Sequence, residues 1–235
     1  MPRKDVTLDA LAIAVATRSP VLLWGAPGTG KTSAVRSLAL GLSLPCEAVV
    51  ASIHEPTDFS GLPIVAGDEV RLAPPAWARR LAADPGILFL DELTTAPPAV
   101  QAALLRVVLE RTVGDLALDE RVAVVAAANP PDQAADGWDL SAPLANRFCH
   151  LDWAPEPAAI VAGLAGGWIA ADPIAVPVDW ERGIASTRGL VSAFLSARPA
   201  LVTAVPDGVA AGRGWPSPRS WDLAIRLLAA AEAAG

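Results

Sequence analysis

Runs of apolar residues alternate with helical patterns along the first two thirds of the chain. Five such runs predict strands, at Val21–Trp24, Glu47–Ala51, Ile87–Leu90, Val122–Ala127 and Cys149–Trp153. The stretches between them carry apolar residues at helical spacing, as in Val100, Leu104 and Val107. Strands that alternate with helices predict an α/β fold with a mostly parallel sheet, covered by helices on both faces.

Two hairpins interrupt this alternation. The first is predicted over residues 62–72 and follows a polar loop at 54–61, and a smaller one is predicted over residues 113–121. Beyond Pro157 no strand pattern persists. There the chain predicts helices separated by breaks rich in Pro and Gly, at about 157–164, 187–197 and 218–234.

This change of pattern predicts a domain boundary. We expect an α/β core over residues 1–155 and a small all-helical second domain, the lid, over residues 156–235. A chain of 235 residues is long enough for such a core and a smaller second unit. Because the chain stops at Ala234-Gly235, within or just after a helical segment, we expect a lid that is truncated at its C-terminus.

The loop after the first strand matches a phosphate-binding motif in full, from Gly25 to Thr32. Its glycines allow backbone conformations that are closed to other residues, and successive N–H groups can form an anion cradle. The motif predicts phosphate contacts from Gly25, Ala26, Pro27, Gly28, Thr29, Gly30, Lys31, Thr32 and Ser33. Lys31 would reach the β- and γ-phosphates of a nucleotide, and the Thr32 hydroxyl would ligate Mg²⁺. The alternative is a glycine-rich turn that matches by chance, but the strand–loop–helix context argues against it.

Two carboxylates follow the buried strand Ile87–Leu90. Asp91 at the end of this strand can hold Mg²⁺ through its water shell, and Glu92 can polarise the attacking water as general base. An exposed acidic strand end is the alternative, and the phosphate loop about sixty residues upstream favours the catalytic interpretation.

Three more side chains are candidates for the same chemistry. Asn129 ends a neighbouring strand, where its amide can orient water near the γ-phosphate, although an Asn before Pro also favours a plain turn. Arg147 can stabilise developing charge during phosphoryl transfer, or form only a surface salt bridge. Arg219 follows the predicted helix cap Ser217-Pro218, where a cation is unfavourable unless it faces an anion such as a nucleotide phosphate.

Composition narrows the classes of function. A net charge of −7 and a pI near 4.8 argue against a constitutive nucleic-acid surface. The cysteines Cys46 and Cys149 have no metal-ligand spacing, which favours buried thiols in a reducing compartment. The chain has a polar start and no apolar stretch long enough to span a bilayer, so we expect a cytoplasmic protein without a membrane segment.

With these motifs the chain resembles the AAA+ ATPases, and among them the MoxR-like group, over residues 20–155. The resemblance rests on the phosphate loop, on Ile87–Glu92, on the helix from Val100 with the following Leu109–Val113, and on Ala126–Pro130. It implies a three-layer P-loop NTPase core with an all-helical lid. Asn129 corresponds to sensor 1, Arg147 to the arginine finger and Arg219 to sensor 2. Asn146 departs from the Asp that is usual before Arg-Phe, and Arg111 is a rival for the trans-acting arginine.

The resemblance also implies partners. Members of the group form rings, typically hexamers, that bind ATP between subunits and remodel protein partners, often ones with a von Willebrand A domain. We therefore expect a homo-oligomeric ATPase that acts on a protein, with ATP and Mg²⁺ as its cofactors. The alternatives are a nucleotide-binding scaffold with little hydrolysis and a small-molecule kinase. A DNA motor is disfavoured by the acidic balance of the chain.

Overall fold

The computed structural model describes residues 6–130, 133, 137–166 and 173–235. Its strands are β1 (Val21–Trp24), β2 (Cys46–Val50), β3 (Leu62–Ala66), β4 (Glu69–Ala73), β5 (Ile87–Asp91), β6 (Thr112–Val113), β7 (Leu116–Ala117), β8 (Ala123–Ala128) and β9 (Cys149–Asp152). Its helices are α1 (Val6–Ala16), α2 (Lys31–Gly41), α3 (Thr57–Ser60), α4 (Ala76–Ala83), α5 (Pro98–Glu110), α6 (Ala142–Ala145), α7 (Pro157–Gly166), α8 (Ile184–Ala197) and α9 (Pro218–Ala234). Short 3₁₀ turns connect several of them.

A parallel sheet forms the centre of the fold. Within the described residues it has five strands in the order β2-β5-β8-β1-β9. Each neighbouring pair is parallel, with Val21 of β1 level with both Val125 of β8 and Cys149 of β9. The predicted α/β fold with a parallel sheet is therefore confirmed. Because all strands run the same way, the loops after β1, β5 and β8 meet at one edge, where ligands bind in such sheets.

Side chains on the two faces of the sheet belong to separate cores. In β5, Leu88 and Leu90 pack with the α5 side, whereas Ile87 and Phe89 pack with α1 and α2. All four side chains are fully buried. The continuous apolar run of β5 is thus explained by a strand with helices on both faces, which gives the predicted three-layer core.

The two predicted hairpins are joined to each other. β3 pairs with β4 and β6 with β7, both antiparallel. The Asp115 N–H donates to the Leu72 carbonyl at 3.2 Å, and the Leu72 N–H donates to the Asp115 carboxylate at 2.8 Å. Gly61 and Gly114 come so close that a Cβ on Gly61 would lie 2.7 Å from the Gly114 Cα. The segment expected to be a plain polar loop contains the short α3, whose Phe59 is fully buried and provides the apolar anchor that the sequence pattern did not reveal.

The chain after β9 is helical, as predicted. α8 begins at Ile184, three residues before the predicted start, because a 3₁₀ turn leads into it. α9 begins with a capping box, in which Ser217 and Ser220 each bond to the other's backbone N–H. The Ser217 hydroxyl also donates to the Asn146 side chain at 2.6 Å, and Arg226 donates to the Thr17 carbonyl at 2.7 Å. These contacts fix α9 against the segments that lead into β1 and β9.

Among the helices that the structure describes, none is long and apolar enough to cross a bilayer. The cysteines lie on β2 and β9, the two opposite edge strands of the sheet, and both are free thiols. Burial raises the pKa of the Cys46 thiol to about 11, so this thiol is unreactive near neutral pH.

Candidate nucleotide site

The phosphate loop connects β1 to α2 and borders a cavity of about 300 Å³. Gly28 and Gly30 have φ angles of +78° and +84°, which only glycine adopts readily. The lining consists of Pro27, Gly28, Thr29, Gly30, Lys31, Thr32, Ser33, Asp91, Glu92 and Asn129. The structure thus brings the side chains proposed from the ends of β5 and β8 to the same cavity as the loop.

Lys31 is held at the base of this loop. Its Nζ donates to the carbonyl oxygens of Gly25 at 2.5 Å and Ala26 at 3.0 Å, and to the Asn129 Oδ1 at 3.0 Å. Burial lowers the pKa of Lys31, and the nearby Asp91 carboxylate opposes this effect. The ammonium group is therefore positioned by three oxygen atoms that anionic phosphate oxygens could replace as partners. The contact also joins Asn129 to the loop.

Thr32 and Asp91 line the cavity next to each other. The Thr32 hydroxyl donates to the Asp91 Oδ2 at 2.7 Å. Mg²⁺ prefers oxygen ligands and keeps several waters, so that it usually takes one or two protein oxygens. One hydroxyl and one carboxylate at this separation fit such an ion.

Glu92 has an unusual backbone and a polar partner. Its φ of +56° and ψ of +42° are left-handed, and its N–H donates to the Asp91 Oδ1 at 2.9 Å. The Ser52 hydroxyl donates to the Glu92 Oε2 at 2.5 Å. Ser52 was not singled out from the sequence. Its place just after β2, which pairs with β5 and aligns Val50 with Asp91, is the signal that could have identified it.

Trp153 braces the phosphate loop from the end of β9. Its indole Nε1 donates to the Thr29 carbonyl at 3.0 Å. Its own carbonyl lies so close to Gly25 that a Cβ at that residue would be 2.7 Å away. Gly25 is therefore required for a close approach of two backbones rather than for a left-handed turn. Trp153 too was missed by sequence reasoning.

Arg147 and Arg219 line a different cavity, of about 280 Å³, near the amino ends of the central strands. Other described residues in its lining are Arg18, Ser19, Pro20, Val108, Leu109, Arg111, Asp222, Leu223 and Arg226. Burial and the nearby Arg219 lower the pKa of Arg147, whose buried Nε has no hydrogen-bond partner in the protein. None of the described residues that line the phosphate-loop cavity is an arginine. The roles proposed for Arg147 and Arg219 stay predictions.

Arg111 differs from its neighbours in this second cavity. Its guanidinium donates to the backbone carbonyls of Arg18, Glu120 and Val122, at 2.7, 3.1 and 3.0 Å. The side chain thus joins the end of α5 to the segments that enter β1 and β8. These contacts favour a structural role for Arg111.

Comparison with known proteins identifies the family. The model of the AAA domain, dynein-related subfamily, matches residues 20–148. The chain belongs to this AAA domain family. Two MoxR proteins are each 34% identical to it: that of Methylorubrum extorquens over 111 residues, 47% of this chain and 32% of the relative, and that of Paracoccus denitrificans over 107 residues, 45% of this chain and 32% of the relative. The chain spans about a third of the length of these curated relatives.

A solved structure supports the same fold. A suggested ATPase from Cytophaga hutchinsonii superposes with a TM-score of 0.51 at 21% identity, and the match covers 87% of this chain and 70% of that one. The identity is low, so this likeness bears on the fold alone. The family match and the MoxR relatives make the chain an AAA+ protein of MoxR type.

The matched AAA region contains every described residue that lines the phosphate-loop cavity. It also contains Arg147 but ends at Phe148, before Trp153 and Arg219. The brace from Trp153 and the contacts of the C-terminal helices therefore lie beyond the part of the chain that the family model describes.

Proposed function

We propose that this AAA+ protein binds ATP with Mg²⁺ and hydrolyses it in order to remodel a protein partner. The observation that carries the proposal is the meeting of Lys31, Thr32, Asp91, Glu92 and Asn129 around one cavity beside the phosphate loop. A site that only held phosphate would not need a second carboxylate and an amide beyond the loop. Such groups serve to hold a metal and to orient a water molecule.

Each side chain has a proposed role. Lys31 and the backbone N–H groups of residues 27–33 bind the β- and γ-phosphates. Glu92 accepts the proton of the attacking water, and the Asn129 amide orients that water near the γ-phosphate. Thr32 and Asp91 hold Mg²⁺, directly or through its waters. The metal ion would neutralise negative charge on the phosphates.

The second cavity supports assembly of a ring, proposed as a hexamer from the resemblance to the MoxR-like group. Several guanidinium groups close to one another raise the free energy of the isolated chain unless an anion is near. Arg147 and Arg219 lie near the amino ends of the strands, whereas the phosphate loop lies at their carboxyl ends. We propose that they meet the triphosphate held by a neighbouring subunit, with Arg147 as arginine finger and Arg219 as sensor 2.

The partner is proposed by analogy with the group: a protein, with one carrying a von Willebrand A domain as the first to test. A nucleic-acid substrate is disfavoured by the net charge of −7. A cytoplasmic location is also proposed, in keeping with the free thiols of Cys46 and Cys149. The core and lid boundaries at residues 1–155 and 156–235 are proposed with it.

Calorimetric titration with a non-hydrolysable ATP analogue and Mg²⁺ tests nucleotide binding. Binding should be present in the wild type and absent in Lys31→Ala, because the phosphates then lose their main cation. Glu92→Gln should still bind but lose turnover by about 10²- to 10⁴-fold, the contribution of a general base. Glu69→Gln, an exposed carboxylate on β4, serves as the matched control. Absence of binding by folded wild-type protein would contradict the whole proposal.

The scaffold alternative makes a different prediction. It requires nucleotide binding with turnover that stays negligible at every protein concentration. Steady-state hydrolysis measured over a wide range of concentrations separates the two, since ring assembly should raise turnover per chain as concentration rises. Particle mass with and without the analogue measures assembly directly.

A further inference from the structure

Arg213 lies between α8 and α9, in the helical part of the chain, yet it contacts the end of β1. Its guanidinium carbon lies 4.2 Å from the centre of the Trp24 ring. Its Nη1 also donates to the Asp152 carboxylate at 3.0 Å. A cation at this distance over an indole face is attracted by the electrons of the ring. Arg213 is therefore a direct link between the helical region and the sheet.

Trp24 is held on its other sides as well. It is only 4% exposed. Its indole Nε1 donates to the His150 Nδ1 at 2.8 Å, and the His150 Nε2 bonds to the Ala145 carbonyl at 2.8 Å. Since the indole must donate, the imidazole must be neutral with its proton on Nε2. The ring of Trp24 is thus fixed by a hydrogen bond at its edge and by a cation over its face.

The backbone of Trp24 leads directly into the phosphate loop. The carbonyl oxygen of the next residue, Gly25, accepts a hydrogen bond from the Lys31 Nζ. The Trp24 carbonyl accepts from the Trp153 N–H at 2.6 Å, and the Trp153 indole in turn holds the Thr29 carbonyl. Both anchors of the loop, at its start and at its middle, therefore depend on where Trp24 lies.

We propose that Arg213 is a positioning residue for the phosphate loop, which couples the helical region to nucleotide affinity through its stacking on Trp24. This inference rests on the proposed nucleotide binding. The loop must keep its backbone N–H groups convergent for phosphate to bind tightly. A loosened Trp24 makes this arrangement less populated, and the apparent affinity falls in proportion to the population that is lost.

Stacking, rather than the ion pair, carries the effect. The side chains of Arg213 and Asp152 are 43% and 80% exposed, and ion pairs exposed to this degree contribute little. The Trp24 ring is buried, so the cation over it interacts in a partly water-excluded place. The planar guanidinium of arginine stacks on an aromatic face, whereas a lysine ammonium acts as a point charge. The contact with Trp24 is therefore specific for arginine.

Four variants separate these contributions. Arg213→Ala should raise the dissociation constant for the Mg²⁺-bound ATP analogue about tenfold, and Arg213→Lys by a smaller factor. Asp152→Asn, which removes the ion pair but keeps the stack, should change it less than threefold. Arg182→Ala is the matched control, because this arginine pairs with Asp179 and is 84% exposed in the helical region. Calorimetry gives the constants, and circular dichroism confirms that each variant is folded.

Reciprocal coupling provides a readout that a merely structural role would not change. If Arg213 links the two regions, the analogue must tighten the contact as much as the contact tightens the analogue. Hydrogen exchange of the backbone amides in residues 208–217 should therefore slow on nucleotide binding in the wild type. In Arg213→Ala the same amides should show no such change.

Each outcome decides the inference. Wild-type binding together with unchanged affinity in folded Arg213→Ala overturns it and leaves the proposed function intact. An effect of Asp152→Asn as large as that of Arg213→Ala overturns the assignment to stacking. Absence of binding by the wild type overturns this inference and the proposed function together.

Discussion

The Ser52 hydroxyl donates a hydrogen bond to the Glu92 carboxylate, with 2.5 Å between the two oxygens. Glu92 is the proposed general base, which must accept a proton from the attacking water. The hydrogen bond from Ser52 occupies one of its carboxylate oxygens. The contact thus restrains the group that hydrolysis requires.

Ser52→Ala should release this restraint. We expect turnover of ATP to rise about 2- to 10-fold, the equivalent of one ordinary hydrogen bond, with no change in nucleotide affinity. Steady-state hydrolysis and calorimetry measure the two quantities. Ser196→Ala on α8, where the hydroxyl bonds only to the carbonyl one turn earlier among its described contacts, is the control. A fall in turnover would mean that Ser52 positions Glu92 for catalysis rather than withholding it.

Arg147 and Arg111 should have opposite phenotypes. Arg147→Ala should reduce hydrolysis by about 10³-fold or more under conditions of assembly, the usual contribution of a trans-acting arginine, with little loss of stability. Arg111→Ala should lower the free energy of unfolding by about 1 kcal/mol, because the carbonyl of the buried Val122 loses its donor, whereas those of the exposed Arg18 and Glu120 can bind water instead. Chemical denaturation and hydrolysis assays on both variants test the pair. Equal loss of activity at unchanged stability would make Arg111 the catalytic arginine.

Gly25→Ala should disturb both the fold and the site. The added Cβ would meet the Trp153 carbonyl at 2.7 Å, and both backbones are hydrogen-bonded to neighbouring strands just beyond the ends of β1 and β9, so neither yields easily. We expect a loss of about 1–3 kcal/mol in the free energy of unfolding, the usual cost of overpacking, together with weaker nucleotide binding. Gly189→Ala on α8, where a Cβ meets nothing within 4 Å, should be neutral or stabilising. If Gly25→Ala had wild-type stability, the close approach to Trp153 would not exist.

His150 should make stability depend on pH. Burial lowers its pKa from the ordinary 6.5; the Ala145 carbonyl and Asp152 oppose this effect, and Arg213 adds to it. Between the lowered pKa and 6.5 the unfolded chain binds the proton and the folded chain does not, so stability falls as the pH falls below about 6.5. The slope attributable to His150 has a ceiling of about 1.4 kcal/mol per pH unit.

Urea unfolding at pH values from 5 to 8 measures this dependence. His150→Gln should lose the part of the slope that comes from the imidazole, while the contribution of the carboxylates remains. Because the imidazole must be neutral to accept from Trp24, the wild type should also bind nucleotide more weakly at the acid end of this range. Identical slopes in the two proteins would contradict the prediction.

The strands and the phosphate loop were predictable because their signals are local. The apolar run before Asp91 and the glycine spacing from Gly25 are set within a few residues, and a parallel sheet then brings the ends of β1, β5 and β8 together. The second hairpin was predicted over residues 113–121, but only Thr112–Val113 and Leu116–Ala117 pair as strands. Register in such short strands depends on the neighbouring hairpin rather than on their own pattern.

Contacts between distant parts of the chain were not predictable. Ser52 and Glu92 are 40 residues apart, and Trp153 and Thr29 are 124 apart. No periodicity relates such pairs, since each depends on strand order and on the side chains that fill the space between elements. Arg219 shows the same limit. Its helix cap was predicted correctly, but the cavity that it lines depends on how α9 packs on the core.

At Glu92 the conformation that the fold requires is unfavourable for the side chain that the proposed chemistry requires. A left-handed conformation costs a side chain with a Cβ roughly 1–2 kcal/mol and costs glycine little. Replacement by glycine would therefore relieve a conformational penalty while deleting the carboxylate. Screens for thermostability should favour that change and deliver inactive protein, so selection for heat resistance alone would drive this scaffold away from its proposed activity.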